Sequence, residues 1–309
     1  MNKNIKIVSL LPSATEIVAA LGMADQLVGR SHECDWPIEL EALPILTAPK
    51  MNPQSDAATI DRDVRALVED GLSVYRLDAE AIQHMAPDFV ITQSQCELCA
   101  VSLTEVSHAL RDWVGPSASP ELVSLEPMCL ADVAKDIAHV AQSLGVVAAG
   151  EALNAQLANG FSKLRAQTAS LPSKRVFFME WTAPLMGAGN WMPETIAAAG
   201  GDVVLGQEGA HSPVVSWAQV AEADPEVILV GPCGFSIERA REEMAAVSDL
   251  PEYQALRAVR DGQVYLVNGN HFFNRPGPRL LQSAEIVAEI LHPQVFAPTN
   301  HGTGWVSYA

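Results

Sequence analysis

The chain has 309 residues, of which 49% are hydrophobic and 18% are charged, and its formal net charge at pH 7 is −18. This length is sufficient for two domains with apolar cores, and the composition is typical of a globular rather than a disordered protein. The negative charge argues against nucleic acid and anionic membrane surfaces as partners, because both would repel the chain.

The first half of the chain alternates apolar strands with helices. Residues 7–11 form a predicted strand, a helix follows to residue 21, and residues 27–30 form a second strand that leads into the loop SHECDWP at 31–37. The later predicted strands, at 89–92 and 122–125, are each followed by a polar loop and a helical stretch. Strands that alternate with helices indicate a parallel sheet.

A long helix is predicted near the midpoint, over residues 146–171. Leu153, Leu157, Phe161 and Leu164 recur on one face, alanines fill much of the rest, and Pro172 ends the pattern. Such a helix is roughly 35 Å long, about the width of a small domain. We interpret it as a connecting helix between two lobes.

The two halves on either side of this helix resemble each other. LDAEAIQHMAPDFVITQSQC at 77–96 and VSWAQVAEADPEVILVGPC at 215–233 both read as a helix, a Pro-acid turn, an apolar strand and a cysteine. The predicted fold is therefore α/β, with two Rossmann-like lobes that each contain a parallel sheet. The predicted domains are 1–145, the connecting helix 146–171, and 172–309 with an irregular tail.

The five cysteines lie just past the carboxyl ends of predicted strands, where open parallel sheets bind ligands. With one nearby histidine they form a candidate metal site, so that loops of both lobes would face one cleft. Thiolate and imidazole suit zinc, an iron–sulfur cluster or the metal of a larger cofactor. Buried cysteine as a small hydrophobic residue is the alternative, above all for Cys129 and Cys233. The candidate ligands are His32, Cys34, Cys96, Cys99, Cys129 and Cys233.

Aromatic and basic residues in the same loops are candidates for contact with a bulky ligand. Tryptophan rings at a cleft stack on flat ligands, and arginines neutralise carboxylates or phosphates, although both types also serve in cores and ion pairs. The candidates are Trp36, Arg76, Trp181, Trp191, Trp217, His271 and Arg275.

Location is predicted from the amino terminus and the cysteines. Lys3 and Lys6 precede an apolar run, but Pro12 and Glu16 interrupt it and no cleavage pattern follows. No stretch is long enough to insert into a membrane. An odd number of cysteines suits a reducing compartment. We therefore expect a cytoplasmic protein, or a periplasmic one if a leader has been removed.

Four segments carry a resemblance to a known family. IVSLLPSATEIVAALG, GNWMPETIAAAGG, LDAEAIQHMAPDFVIT and VAEADPEVILVG resemble the iron-complex and vitamin B12 substrate-binding proteins of ABC importers, over residues 5–292. The resemblance implies two Rossmann-like lobes on one rigid helix and a binding protein rather than an enzyme. The cobalamin-binding branch is most similar, which implies a corrinoid in the cleft. Exported members do not usually line the cleft with cysteines, so SHECDWP and QCELCAVS distinguish this chain.

Two functions remain open from the sequence. In the first, the protein is non-catalytic and holds a corrinoid or related metal complex between the lobes, with an ABC importer as its partner. In the second, the protein is a cytosolic metal or iron–sulfur protein, either a chaperone or a metal-dependent enzyme, with a Cys/His site in the cleft.

Overall fold

The computed structural model describes residues 5–69, 74–93, 106–107 and 119–308. Two units divide the chain: the first contains Met1–Ser55, Thr59–Pro127 and Asp132–Ala155, and the second contains Asp56–Ala58, Met128–Ala131 and Gln156–Ala309. The predicted two-lobed α/β fold is confirmed. The predicted domain boundaries stay a prediction.

The first unit is built on a four-stranded sheet in the order β2-β1-β5-β6, in which all neighbours are parallel. A separate antiparallel hairpin joins β3 and β4. The strands are β1 Ile7–Ser9, β2 Leu27–Arg30, β3 Thr47–Pro49, β4 Tyr75–Leu77, β5 Phe89–Gln93 and β6 Glu121–Leu125. The helices that begin in this half are α1 Pro12–Ala20, α2 Ala57–Glu69, α3 Ala79–Met85, α4 Leu130–Ser143 and the long α5 Val147–Thr168, with 3₁₀ turns at Ala24–Gln26 and Ile38–Ala42.

The second unit contains a five-stranded sheet in the order β10-β7-β11-β12-β13, in which only the edge strand β13 is antiparallel. Its strands are β7 Lys174–Met179, β8 Trp181–Thr182, β9 Leu185–Met186, β10 Gly201–Val203, β11 Val227–Val230, β12 Val264–Val267 and β13 Trp305–Ser307. Its helices are α6 Met192–Ala198, α7 Trp217–Ala223, α8 Ile237–Ser248, α9 Pro251–Gln254, α10 Arg257–Arg260 and α11 Leu280–Leu291, with a π turn at Gly269–Phe273.

The central strands of both sheets are apolar because helices cover parallel sheets on both faces. All four residues of β11 are buried, as are Val176 to Met179 of β7. Separate apolar clusters form the two cores, one around Val8, Val90 and Ile82, the other around Phe177, Ile228 and Leu266. At about 25 cal/mol per Å², burial of these side chains is the main stabilising term in each unit.

The internal repeat seen in the sequence extends to individual hydrogen bonds. In the first unit the Asp88 backbone N–H donates to the Lys6 carbonyl (2.8 Å), and the Asp88 carboxylate accepts the Lys6 N–H (2.9 Å). In the second, Glu226 and Arg175 make the same pair of bonds, at 2.8 and 2.9 Å. We name these two paired bonds the acid clamps. Each fixes the start of a central strand, β5 or β11, against its neighbour.

The carboxyl-terminal tail, predicted to be irregular, contains β13 and is attached to α11 by one buried carboxylate. Glu289 accepts hydrogen bonds from the Thr299 hydroxyl (2.6 Å), the Asn300 side-chain amide (2.8 Å) and the Trp305 indole (2.8 Å). The Asn300 backbone N–H also lies 3.1 Å from this carboxylate. A carboxylate with this many donors holds a segment that has little periodicity of its own.

None of the described helices is both long enough and apolar enough to cross a membrane.

We expect Glu289→Gln to lower the free energy of unfolding by about 1.5–3 kcal/mol, because an amide removes the charge and places a donor among donors. Urea denaturation measures this loss. Glu285→Gln, an exposed change one turn earlier on the same helix, is the matched control and should stay within about 0.5 kcal/mol of the native chain. Equal effects of the two substitutions would contradict the role assigned to Glu289.

Candidate functional site

The loop 31–37, which follows β2 in the first unit, is shaped by a buried arginine. The Arg30 guanidinium donates to the carbonyls of Ser31 (3.1 Å), Cys34 (3.0 Å) and Glu41 (2.7 Å). A rigid planar donor that holds several carbonyls fixes the path of a loop. The loop ends at a cis peptide bond between Trp36 and Pro37. We refer to residues 31–37 as the SHECDWP loop.

Cys34 points into the interior of the first unit. Its side chain is fully buried, and its sulfur lies 3.0 Å from the Thr15 hydroxyl at the beginning of α1. The same hydroxyl lies 2.8 Å from the Ser9 hydroxyl at the end of β1. The thiol therefore packs between the loop and helix α1.

His32 is half-buried at the surface of the same loop. Its Nδ1 atom lies 2.7 Å from the Thr47 hydroxyl, and its ring lies 5.5 Å from that of Tyr75. Its Nε2 atom is 3.9 Å from Glu33 Oε1, beyond hydrogen-bond distance. Burial, and then the positive charge of Arg30, lowers the pKa of His32 below its usual value. The imidazole is therefore neutral near neutral pH.

Trp36 presents the largest exposed ring of this loop, with 43% of its surface accessible. A tryptophan that is this exposed adds little to the core and is suited to contact with a flat ligand. Arg76 is also exposed, on β4, and lines an open groove with Thr47 and Asp78.

The loop after β6 contains Cys129 and is hydrogen-bonded to an unusual carboxyl group of α4. Cys129 is half-buried, in the segment Met128–Ala131 that belongs to the second unit. Asp136 of α4 is buried and accepts the Glu126 backbone N–H at 3.3 Å. Burial raises the pKa of Asp136 to about 7, although this hydrogen bond opposes the shift.

In the second unit, an aromatic cluster follows β7 and β11. The rings of Trp181 and Phe235 lie 5.2 Å apart, and the Arg239 guanidinium lies 5.0 Å from the centre of the Phe235 ring. The Trp181 indole N–H donates to the Ala183 carbonyl (3.1 Å), which fixes the ring. Cys233, in the loop after β11, is exposed.

Glu180, next to Trp181, is a carboxyl group that the sequence did not single out as functional. Burial raises the pKa of Glu180 to about 7. Such a carboxyl group is partly protonated at neutral pH and donates as well as accepts hydrogen bonds.

The remaining predicted ligand contacts of this unit are mostly engaged within the protein. Trp191 is buried and its indole donates to the Phe273 carbonyl (3.1 Å), while Trp217 packs edge-on against Tyr253 at 5.8 Å. Arg275 is 3% exposed and donates to Asn270 Oδ1 (3.0 Å). His271 is half-buried in the π turn, with its backbone N–H bonded to Asn268.

A family model described as periplasmic binding protein matches residues 7–270 of this sequence. The chain belongs to the periplasmic binding protein family. Members of this family are substrate-binding proteins, so this chain binds a ligand and is not an enzyme.

Two curated relatives of this family member are informative. The vitamin B12-binding protein of Vibrio cholerae is 26% identical over 302 residues, which cover 93% of this chain and 88% of the relative. An uncharacterised ABC transporter substrate-binding lipoprotein of Bacillus subtilis is 21% identical over 297 residues, which cover 94% of this chain and 81% of the relative. The names of these relatives do not support the predicted cytoplasmic location.

Solved structures show the same fold. A periplasmic vitamin B12 binding protein of Vibrio cholerae superimposes with a TM-score of 0.63 at 24% identity, over 93% of this chain and 96% of that one. A periplasmic heme binding protein of Pseudomonas aeruginosa gives 0.69 at 20% identity, over 94% and 93%.

The predicted metal site stays a prediction for this family member. Cys96 and Cys99 lie outside the described residues. Within the described ranges, no group of three or more histidine, cysteine, aspartate or glutamate side chains is arranged to hold a metal ion. His32 and Cys34 share a loop, but the thiol of Cys34 is buried while part of the His32 ring is exposed.

We expect Asp136→Asn to remove a pH dependence of stability. Folding raises this pKa from 3.8 to about 7, so the folded chain binds the proton more tightly and loses stability as the pH rises through this window. At 1.36 kcal/mol per unit, the native chain should lose about 2–4 kcal/mol relative to the variant between about pH 4 and pH 7.5. Urea unfolding across this range measures the difference, and parallel curves for the two chains would contradict the assignment.

Proposed function

We propose that this protein binds a corrinoid at the SHECDWP loop and delivers it to an ABC importer. Family membership supports a binding function, and the similarity to vitamin B12-binding proteins over nearly the whole chain supports this ligand class. The observation that carries the proposal is that one loop, fixed from below by Arg30, presents both an exposed indole and a neutral imidazole.

The residues present fit a flat metal complex. Trp36 offers a ring face to a macrocycle, and His32 Nε2 lies 3.9 Å from Glu33 Oε1, beyond hydrogen-bond distance. A bound corrinoid would supply a cobalt ion that accepts nitrogen ligands. Arg76 is exposed and suited to a negatively charged group on such a ligand, whereas Arg30 and Arg275 are buried and bonded within the protein.

Spectroscopic titration of the purified protein tests the ligand class. Aquocobalamin should bind in a one-to-one complex and show shifted corrin bands, because a nitrogen donor replaces its water. Hemin and zinc, added separately, should bind at least tenfold more weakly. Tighter binding of hemin than of aquocobalamin would overturn the corrinoid proposal, and binding of zinc alone would favour the direct metal site.

We expect Trp36→Ala to weaken aquocobalamin binding about 5- to 150-fold, since stacking on an aromatic ring contributes about 1–3 kcal/mol. Isothermal titration calorimetry measures the change. Ile38→Ala is the matched control, because Ile38 lies two residues further on with 56% of its surface exposed but carries no ring. An equal loss in the two variants would show that general apolar contact, not stacking, holds the ligand.

A role with an ABC importer also predicts location. We expect the native protein outside the cytoplasm, where an importer collects its substrates. Fractionation of the source cells, with a cytoplasmic enzyme as marker, measures this. Recovery of the protein in the cytoplasmic fraction alone would exclude the importer role while leaving ligand binding intact.

A further inference from the structure

The Thr47 hydroxyl is the hydrogen-bonding centre of the His32 environment. Thr47 is the first residue of β3 and is only 5% exposed. Its oxygen accepts the His32 backbone N–H at 3.0 Å and lies 2.9 Å from the Ser31 oxygen and 2.7 Å from His32 Nδ1. The Thr47 hydroxyl, which has a single proton to donate, therefore contacts three polar atoms: the backbone nitrogen and Nδ1 of His32, and Oγ of Ser31.

Counting protons around this hydroxyl identifies the state of the imidazole. The Thr47 hydroxyl donates to the Ser31 oxygen, which also accepts the Glu33 backbone N–H at 3.3 Å. Because its only proton is donated to Ser31, the Thr47 oxygen is the acceptor in its contact with His32 Nδ1. These contacts are all satisfied when His32 Nδ1 carries the ring proton, which leaves the lone pair at Nε2.

We propose that Thr47 is a positioning residue that holds His32 as the Nδ1–H tautomer, with Nε2 directed to the metal of the bound ligand. The direction of Nε2 toward a metal rests on the proposed function, whereas the tautomer does not depend on that function. Histidines that ligate metals commonly donate their second ring N–H to a fixed acceptor, which sets both the tautomer and the ring orientation.

The surroundings of the ring support this direction. Thr47 lies on the Nδ1 side of the ring, and 23% of the His32 side chain is exposed. The Tyr75 ring limits rotation of the imidazole from another side. Thr47 itself is held by its strand, since its residue pairs with Leu77 of β4. The acceptor is thus fixed before a ligand arrives.

This arrangement predicts a preference among corrinoids. A corrinoid whose cobalt carries a replaceable water can exchange it for Nε2, whereas dicyanocobinamide has both axial positions occupied by strong ligands. Thr47 should therefore contribute to the binding of aquocobalamin and contribute little to the binding of dicyanocobinamide.

Nuclear magnetic resonance of the ligand-free protein tests the tautomer. Long-range proton–nitrogen spectra of isotope-labelled histidine, assigned with a His32→Gln variant, should show His32 protonated at Nδ1 in the native chain and in Thr47→Ser. Thr47→Val keeps the side-chain volume but lacks the hydroxyl, and should shift the proton toward Nε2. An Nε2–H tautomer in the native chain, or an unchanged signal in Thr47→Val, would overturn the proposal.

Titration of the same variants tests the consequence for binding. We expect Thr47→Val to weaken aquocobalamin binding about 10- to 100-fold, as for other partners of metal ligands, and Thr47→Ser to restore it. Binding of dicyanocobinamide should change less than threefold. Equal losses for both corrinoids would overturn the positioning role. If the native chain binds neither corrinoid, the proposed function fails, and the tautomer spectrum still decides the role of Thr47.

Discussion

The acid clamps are the constraint that aligns the central strands of both sheets. In each unit a carboxylate after a Pro-containing turn binds the backbone N–H at the start of the neighbouring strand, while its own N–H binds the carbonyl of the same residue. These paired bonds fix the register of β1 against β5 and of β7 against β11. Because the strands are parallel, their carboxyl ends lie at the same edge of each sheet.

The two units share an architecture, but the loops at the carboxyl edges of their sheets expose different side chains. In the first unit Arg30 donates hydrogen bonds to loop carbonyls, while the Trp36 indole and part of the His32 imidazole lie at the surface of the SHECDWP loop. In the second, Trp181 is packed against Phe235 and tied to a backbone carbonyl, and Trp191 is buried. The loops of the first unit therefore expose more aromatic and imidazole surface than the corresponding tryptophans of the second unit.

The sequence was sufficient to predict the features that repeat or are periodic. Helix α5, predicted over 146–171, is observed over Val147–Thr168, and the apolar runs became β5 and β11. The contact between Thr47 and His32 was missed because the two residues lie fifteen positions apart in the chain and no motif connects them. Strand β13 was missed for a similar reason: three residues show no alternation, and the carboxylate that anchors the tail lies on α11.

The SHECDWP loop places its thiol and its imidazole in different surroundings. Cys34 is fully buried, and its sulfur lies 3.0 Å from the Thr15 hydroxyl. The sulfur is therefore better described as part of the core. The His32 side chain is partly exposed, and burial and then the positive charge of Arg30 lower its pKa. Cysteine and histidine two residues apart thus have opposite roles: one fixes the loop to α1, and the other faces outward from it.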